Sequence, residues 1–412
     1  MKALDRTTTL LRNARLVLPE RTAENASLLI DDERITRIFE STTNQPSEAA
    51  SIIDLEGLTL FPGFIDAHIH GAVGIDANET DINGLHAVGD YLARHGVTAW
   101  LPTLVPDSEE NYRKSITTID EMMRRQSEDK EQAGSLRSQV LGVHYEGPFV
   151  SDKQCGALRS QFFKTFTAGD QLESLPRLQN SGAIHLTTVA PEVEGGIDLV
   201  KELVKQGWIV SIGHTRANID VLDQAFEAGA RHLTHFMNAM ASLHHRAPGP
   251  IAWGLMRDDV TFDVIADGVH IDPFVLRLLL KLKGINGVSF ISDAIAAAGM
   301  GDGDYMIWGE TITVENGRTR NARGSIAGSV ITMLDAVRLM LSLGVSEVDV
   351  ARMAATNPAR LLRIDSDCGS IAEGKRADLV ALDQTGQVRL TIIGGETAFT
   401  SIQSEPPAVA GG

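Results

Sequence analysis

The chain has 412 residues, 43% of them hydrophobic, and a formal net charge of −17 at pH 7. This length allows one large domain with a smaller one, or two to three ordinary domains. A negative overall field opposes binding to nucleic acid and to anionic lipid, so we expect no nucleic-acid partner and no membrane partner.

The cysteine content and the spread of apolar residues indicate the compartment. Cys155 and Cys368 are the two cysteines, and they form neither a disulfide framework nor a CxxC metal motif. The first residues lack the apolar core of a signal peptide, and no run of about 18 apolar residues occurs. We therefore expect a reducing compartment and a cytoplasmic location.

The hydrophobic pattern of the sequence changes at about residue 61. Residues 7–60 consist of short strands and turns, as in "ASLLIDDERITRIFE". From residue 61 onward, short apolar runs alternate with amphipathic stretches, the pattern of parallel β/α units. Eight strands are predicted in this part, at 63–70, 97–103, 139–147, 183–191, 208–215, 232–236, 261–268 and 287–294.

Amphipathic helices are predicted between and after these strands. They lie at 83–96, 108–125, 195–207, 218–230 and 272–284, with further helical stretches at 329–344 and 346–364. Eight such units predict an α/β fold with a (β/α)8 TIM-type barrel. The tail again resembles strands, which predicts a small β-sandwich domain formed by both chain ends. The expected limits are 1–60 and 366–412 for the small domain, the latter with a C-terminal tail, and 61–365 for the barrel.

Polar side chains at the predicted strand ends suggest a metal site. His68 and His70 are two residues apart on a strand, so both point to one side. Later strands end with Glu146, His214, His235 and Asp293. The carboxyl ends of barrel strands meet at one face. Imidazole and carboxylate groups suit zinc, and also iron or manganese.

The remaining histidines receive other assignments. His144 faces the same way as Glu146, but we expect it to be a packed neighbour rather than a ligand. His232 lies just outside the "THF" turn, and a surface position is expected. His244 and His245 are expected to be ordinary loop residues.

Several motifs carry a resemblance to a known family. They are PGFID-x-H-x-H, E-G-P-F, G-H, T-H-x-x-N-A-M and S-D-A, with the longer segments "HYEGPFVS", "HHRAPG" and "VIADGVHID". Together they resemble the amidohydrolase superfamily and, within it, are similar to the N-acetylglucosamine-6-phosphate deacetylases. The resemblance runs over nearly the whole chain. It implies metal-dependent deacetylation of N-acetylglucosamine 6-phosphate to glucosamine 6-phosphate and acetate.

The resemblance also implies a divalent metal centre of one or two ions per subunit. Glu146, His214 and His235 resemble the ligands of the main ion. His68 and His70 resemble the ligands of a second ion, with Glu146 as the bridge. Zinc is the expected metal, and iron, manganese and cobalt are alternatives.

Further residues match the family's catalytic and substrate-binding positions. Asp293 resembles the general acid/base, and His270 the histidine that contacts the sugar or polarises the amide. Asn238, Ala239 and Arg246 resemble the phosphate-binding group. The family's arginine reaches in from a neighbouring subunit, which implies a homodimer.

One loop departs from the family pattern. The family has a K-G-A-H segment after E-G-P-F, whereas this chain has "DKQCGALRS", with Leu158 at the histidine position. Arg159 is a candidate to replace the lost contact to the phosphate or another acidic group. The role of Cys155, just before the glycine, stays open.

Three alternatives remain from the sequence. The departure keeps open N-acetylgalactosamine 6-phosphate or another N-acyl amino sugar as the substrate. A non-catalytic scaffold is disfavoured because every ligand position is filled. A deaminase or cyclic-amide hydrolase is disfavoured because no bridging lysine is found at the third strand and "HHRAPG" is present.

Overall fold

The computed structural model describes residues 8–40, 49–128, 136–167 and 169–402. The predicted C-terminal tail lies outside these residues. The first part of the chain forms five strands, β1 (Thr8–Val17), β2 (Thr22–Asp31), β3 (Arg34–Phe39), β4 (Ser51–Asp54) and β5 (Thr59–Pro62). β1 and β2 are antiparallel, as are β2 and β3, whereas β4 and β5 both lie parallel to β1.

The next strands build the barrel. After β6 (Phe64–Ile69), β7 (Gly71–Ala72) and β8 (Ile75–Asp76) form a separate two-stranded sheet. The other barrel strands are β9 (Val97–Leu104), β10 (Gln139–Val140), β11 (Gly142–Glu146), β12 (Ile184–Val189), β13 (Ile209–Ile212), β14 (His232–Leu233), β15 (Thr261–Ile265) and β16 (Val288–Ile291). β6 pairs with β9, and parallel pairing continues through β11 to β16 in chain order, while β10 pairs with β9 just ahead of β11. Every residue of β6 and β9 is buried, as expected for barrel strands covered on both faces. All eight predicted barrel strands are present.

The seam between β16 and β6 closes the barrel next to the predicted site. The amide of His70 donates to the carbonyl of Ala294 over 2.8 Å, and the amide of Asp293 donates to the carbonyl of His68 over 2.9 Å. Two predicted site segments are thereby fixed to each other by backbone hydrogen bonds.

Helices surround the barrel. They are α1 (Ile82–Arg94), α2 (Glu109–Glu128), α3 (Gly196–Lys205), α4 (Ile219–Glu227), α5 (Gly249–Met256), α6 (Pro273–Lys283), α7 (Met333–Ser342), α8 (Glu347–Ala351) and α9 (Asn357–Leu361). Side-chain caps define several starts; Asn218, for example, accepts from the amide of Val221 at the start of α4. Within the described residues, no helix is both long and apolar enough to cross a membrane.

A three-stranded hairpin sheet that we did not predict lies between β16 and α7. Its strands are β17 (Gly303–Ile307), β18 (Glu310–Glu315) and β19 (Arg318–Asn321). Trp308, at the β17–β18 turn, packs edge-on against the His70 ring, with 5.1 Å between the ring centroids. The hairpin therefore covers one side of the predicted site.

The chain ends meet in one sheet. The last strands are β20 (Leu379–Leu382), β21 (Val388–Ile393) and β22 (Glu396–Thr400). β20 pairs with β5, so the sheet runs β22-β21-β20-β5-β1-β2-β3, with β4 beside β1. This sheet has an apolar core of its own, separate from the barrel core. The predicted fold class, a barrel with a small β domain from both ends, is confirmed; the domain limits stay a prediction.

Candidate metal centre

The predicted strand-end residues come together at the carboxyl end of the barrel. His68 lies in β6, Glu146 is the last residue of β11, and the others follow their strands within two residues. All six side chains are buried: His68, His70, Glu146, His214, His235 and Asp293. The structure therefore places four imidazoles and two carboxylates in one cluster.

One half of the cluster is formed by Glu146 with two histidines. Glu146 Oε1 lies 2.8 Å from His214 Nε2 and 2.9 Å from His235 Nε2. The two histidine nitrogens are 3.1 Å apart. In a tetrahedral zinc site with Zn–N bonds of about 2.0–2.1 Å, neighbouring ligand nitrogens are roughly 3.3 Å apart. These three side chains therefore have the spacing of a metal ligand set.

The other half is formed by His68 and His70. Their Nε2 atoms are 3.2 Å apart. His70 Nε2 lies 3.3 Å from Glu146 Oε2 and 3.2 Å from Asp293 Oδ1. Glu146 thus faces both pairs of histidines, and Asp293 closes the second pair.

The hydrogen bonds behind the histidines test whether the cluster fits a cation. His214 Nδ1 lies 2.7 Å from the carbonyl oxygen of Gln154, and His70 Nδ1 lies 3.1 Å from that of Thr103. A nitrogen that faces a carbonyl oxygen carries the proton, so in the neutral ring Nε2 presents a lone pair. These lone pairs point at a carboxylate and at other imidazole nitrogens. A divalent ion satisfies this donor set, so the cluster is compatible with a divalent metal site.

Burial and mutual contacts shift the acid–base properties of the cluster. Burial raises the pKa of Glu146, but the charge and hydrogen bond of His214 and the bonds of the other histidines outweigh it and hold that pKa well below its usual value. Burial lowers the pKa values of His70 and His235, but hydrogen bonds to Glu146, and to Asp293 in the case of His70, raise them to about 10 and about 9. Burial holds the pKa of His68 well below its usual value. Without a cation, the carboxylates therefore retain protons on two of the histidines.

Three residues of the cluster have a backbone conformation that side chains other than glycine rarely adopt. The φ angles are 47° for His214, 33° for His235 and 49° for Asp293. Neighbouring backbone groups hold them: the amide of Ser329 donates to the carbonyl of Asp293 over 2.7 Å. Strain of this kind persists where surrounding structure fixes it, and it is concentrated at functional sites.

Asp263 positions His235 and was not predicted from the sequence. Asp263 Oδ1 accepts from the amide of His235, and Oδ2 lies 2.9 Å from His232 Nε2. His232 is 2% exposed, so our expectation of a surface position was wrong. β14 has only two residues, and its parity could not be inferred from the sequence. A lone carboxylate inside the apolar strand "TFDVI" was the available signal for Asp263.

His144 is a packed neighbour of the cluster, as predicted. Its Nδ1 lies 3.2 Å from the carbonyl oxygen of Ala67, and its Nε2 lies 2.8 Å from Thr188 Oγ1. Its ring centroid is 4.5 Å from that of His68. Both of its nitrogens are therefore used in supporting the site.

His270 forms a buried pair with an aspartate. Its Nδ1 donates to Asp267 Oδ2 over 2.7 Å, and the amide of His270 donates to Asp267 Oδ1 over 2.8 Å. Burial raises the pKa of Asp267, but the hydrogen bond and charge of His270 outweigh it and lower that pKa overall. The pair fixes the imidazole so that Nε2 faces away from Asp267.

The predicted phosphate-binding residues lie in two places, at the barrel end and in an exposed loop. Asn238 and Ala239 lie three and four residues after His235, and the amide of Asn238 donates to the carbonyl of His235 over 2.9 Å. A Cβ on Gly156 would lie 3.5 Å from His214 Cε1 and 3.9 Å from Ala239 Cβ, so the loop after E-G-P-F borders this region. Arg246 lies in an exposed segment, where Nη1 is 2.8 Å from His245 Nε2.

Leu158 and Arg159, where the loop departs from the family pattern, both contact other parts of the protein. Leu158 is 3% exposed and packs in an apolar cluster with hairpin residues such as Ile307 and Trp308. Arg159 Nη2 donates to the buried Asp107 Oδ2 over 2.6 Å. Cys155 is half-buried and unpaired. The guanidinium of Arg159 is thus held by an acidic side chain, and its contact with substrate stays a prediction.

Comparisons with known proteins match this geometry. The model of the Amidohydrolase family matches residues 59–398. N-acetylglucosamine-6-phosphate deacetylase of Bacillus subtilis (strain 168) is 32% identical over 401 residues, covering 96% of this chain and 98% of that protein. N-acetylgalactosamine-6-phosphate deacetylase of Escherichia coli O157:H7 is 33% identical over 392 residues, covering 95% and 99%.

Solved structures agree. The crystal structure of N-acetylglucosamine-6-phosphate deacetylase from Pasteurella multocida has a TM-score of 0.85 at 28% identity and covers 95% of this chain and 99% of that one. A mutant of the Mycobacterium smegmatis enzyme in complex with N-acetyl-D-glucosamine-6-phosphate has a TM-score of 0.83 at 28% identity and covers 96% and 100%. The chain therefore belongs to the amidohydrolase family, among the deacetylases of N-acetylated amino-sugar 6-phosphates, and is a hydrolase that acts on an amide.

Proposed function

We propose that this protein removes acetate from N-acetylglucosamine 6-phosphate and produces glucosamine 6-phosphate. The observation that carries the proposal is the buried cluster in which Glu146 faces two pairs of histidines. The cluster occurs in a chain that aligns with two N-acetyl amino-sugar 6-phosphate deacetylases over 95% of its length or more.

The cluster would hold one or two divalent ions. Glu146, His214 and His235 would hold the main ion, and His68 and His70 the second, with Glu146 between them. When bound, such an ion lowers the pKa of water to about 7 and polarises a carbonyl oxygen. Zinc is the proposed metal because the donor set is imidazole and carboxylate at tetrahedral spacing; iron, manganese or cobalt accept the same ligands.

Asp293 is the proposed general acid/base. Its Oδ1 lies at the edge of the cluster, 3.4 Å from His68 Nε2 and 3.2 Å from His70 Nε2. From there it accepts the proton of the attacking water and returns it to the leaving nitrogen. An amine is a poor leaving group without that proton, so one carboxylate serves both half-steps.

In this proposal, His270 and the phosphate-binding residues orient the substrate. The bond from His270 Nδ1 to Asp267 leaves Nε2 for the sugar or the amide oxygen. Asn238 and Ala239 lie beside the cluster, and Arg246 supplies a permanent charge and a fork of donors suited to phosphate. Arg159 is kept as a further candidate contact, with Asp107 as its present partner.

The galactosamine epimer is the second candidate substrate. It is supported by the E. coli O157:H7 N-acetylgalactosamine-6-phosphate deacetylase, which is 33% identical to this chain. Leu158, in place of the loop histidine, keeps sugar specificity open.

A homodimer with Arg246 reaching the neighbouring site is also proposed. Arg246 is exposed, and α6 presents an apolar stripe at i, i+4 and i+8: Phe274 is 75% exposed, Leu278 44% and Leu282 54%. Apolar side chains in such a row favour burial against another surface. We also propose a cytoplasmic location, since Cys155 and Cys368 are both unpaired.

The experiment that tests the function measures acetate release by the metal-loaded protein from four sugars in parallel. These are N-acetylglucosamine and N-acetylgalactosamine, each with and without the 6-phosphate. Preference for N-acetylglucosamine 6-phosphate supports both the proposed activity and the proposed phosphate-binding residues. Preference for the galacto epimer selects the second candidate. No release from any of them, with metal bound, contradicts the proposed function.

A further inference from the structure

A cavity lies at the end of the barrel opposite the metal cluster. Its volume is about 300 Å³, and its walls include the first residues of three barrel strands, Ile209, His232 and Thr261. The strands are parallel and the metal cluster lies at their carboxyl ends, so this cavity opens at their amino ends. A volume of this size is at the lower end of small-molecule sites.

The rim of this cavity is positively charged in an otherwise acidic protein. Arg231, Arg360 and Arg363 line it, together with one acidic side chain, Asp259. Asp259 is already near another cation, with 3.3 Å between its Oδ1 and Arg257 Nε. Arg360 and Arg363 make no ion pair with any residue that the structure describes. The rim therefore favours an anion, although the chain carries a net charge of −17.

Two residues that line the cavity have a buried polar atom without a partner. Asn357 is 6% exposed; its Nδ2 donates to the carbonyl oxygens of Ile285 and Val288 over 2.8 and 2.6 Å. Its Oδ1 and the Nε1 of Trp208, another lining residue 2% exposed, have no hydrogen-bond partner among the described residues. Most buried polar groups in proteins are paired. Both atoms are shielded from solvent, so they are unused hydrogen-bonding groups in residues that line the cavity.

Asn357 itself follows a rare backbone feature. The five residues before it, Arg352–Thr356, form a π-helical turn between α8 and α9. Such turns are uncommon and frequently mark functional sites. The turn precedes the short helix that carries Asn357 and Arg360 to the cavity.

The cavity is joined to the metal cluster by a short hydrogen-bonded path. Thr261 and His232, which both line it, are bonded through Oγ1 and Nδ1 over 2.7 Å. His232 Nε2 continues to Asp263 Oδ2, and Asp263 Oδ1 accepts from the amide of His235. The backbone at His235 is in the left-handed region, so its position depends on these contacts. A change at the cavity therefore reaches a cluster residue through two side chains.

We propose that this cavity is a regulatory site for a small phosphate monoester, held by Arg360 and Arg363 and coupled to His235 through His232 and Asp263. The binding claim stands on the cavity alone, whereas its effect on turnover rests on the proposed function. The occupant changes kcat rather than competing with the substrate, because it binds at the other end of the barrel.

The test titrates inorganic phosphate, and separately glucose 6-phosphate, into the metal-loaded full-length protein by calorimetry. The variant Arg360→Ala/Arg363→Ala is compared with Arg37→Ala/Arg320→Ala, which removes two exposed arginines on strands β3 and β19. Arg246→Ala weakens phosphate binding at the catalytic end and leaves the cavity intact. Tighter binding of glucose 6-phosphate than of phosphate identifies a sugar phosphate as the occupant, and equal binding identifies the phosphate group alone.

We expect one class of phosphate binding to weaken about tenfold or more in Arg360→Ala/Arg363→Ala, since charge-assisted hydrogen bonds are lost. This class of phosphate binding keeps its affinity in the control variant and in Arg246→Ala. In acetate-release assays, phosphate changes kcat of the wild type roughly twofold or more, and this change disappears in Arg360→Ala/Arg363→Ala. Equal phosphate affinity and stoichiometry in that variant and the control overturn the proposal. Calorimetry decides this even if no sugar is deacetylated.

Discussion

At the scale of single residues, Glu146 and Asp293 share a site but have different surroundings. Glu146 is enclosed by imidazoles, with Oε1 towards His214 and His235 and Oε2 towards His70. Asp293 faces only the second histidine pair and is 7% exposed. A carboxylate that is enclosed by imidazoles is suited to hold a cation together with them. A carboxylate at the edge of the cluster is suited to exchange protons with a substrate.

This difference leads to a prediction for Asp293→Asn. The amide keeps the size of the side chain but cannot accept the proton, so acetate release should fall about 10²- to 10⁴-fold. The ion held by Glu146, His214 and His235 should remain, which metal analysis of the purified variant measures. Asp198→Asn, on the exposed side of α3, serves as the control. A variant with activity close to that of the control would remove Asp293 from the reaction.

The histidine pKa values predict proton release when metal binds. In the metal-free protein, contacts with the carboxylates raise the pKa of His235 to about 9 and that of His70 to about 10. Both rings are therefore protonated at pH 7, and an ion must displace these protons. About two protons should be released on full occupation, and metal affinity should rise as the pH rises from 7 to 9. Calorimetry in two buffers with different ionisation heats measures this; heat that does not depend on the buffer contradicts it.

At the scale of elements, the loop after β11 is fastened to the hairpin of β17 and β18. Leu158 packs with Ile307 and Trp308, while Gly156 in the same loop lies against His214. Trp308 in turn packs on His70. The residue that departs from the family pattern thus anchors two elements that border the cluster.

Leu158→Ala should therefore affect both stability and substrate binding. Loss of a side chain that is 3% exposed should lower the free energy of unfolding by about 2–5 kcal/mol. KM should increase because the loop beside His214 loses its anchor. Ile52→Ala, at a side chain that is 47% exposed, should change stability by about 0.5 kcal/mol or less. Urea unfolding of both variants is the measurement, and equal stability would show that Leu158 does not anchor the loop.

The barrel strands could be predicted because each is a buried apolar run between helices with a clear period. The same parity argument placed His68 and His70 on one side, and the structure has their Nε2 atoms 3.2 Å apart. The strand-end rule then brought Glu146 and Asp293 to the same place. Residues that end a strand are predictable because the fold, and not their local sequence, determines where they meet.

Other elements gave no such signal. α5 is short, and "GPIAWGLM" contains two glycines and a proline without an amphipathic period. The side of His232 could not be inferred because β14 has two residues. The left-handed backbone at His214, His235 and Asp293 is imposed by tertiary hydrogen bonds, since local preference disfavours it.

At the scale of the whole molecule, the net charge bears on assembly. Each copy carries −17, so two copies repel one another and association requires an apolar or oppositely charged contact. The exposed stripe of Phe274, Leu278 and Leu282 on α6 offers the first, and Arg246 offers a positive group for a neighbouring site. A shared site of this kind can be tested without knowing the interface.

If Arg246 acts on the neighbouring subunit, two inactive variants should complement each other. In a heterodimer of Arg246→Ala and Asp293→Asn, the site that keeps Asp293 receives Arg246 from the Asp293→Asn subunit. After equal mixing and subunit exchange, about half of the dimers are mixed and each has one intact site, so about a quarter of wild-type acetate release should return. An Asp293→Asn/Arg246→Ala double variant mixed with Asp293→Asn is the matched control, because no intact site can form. Activity that stays at the level of the control would show that Arg246 serves its own subunit, whereas about half of wild-type release, already present before mixing in Arg246→Ala, would show that it serves no site.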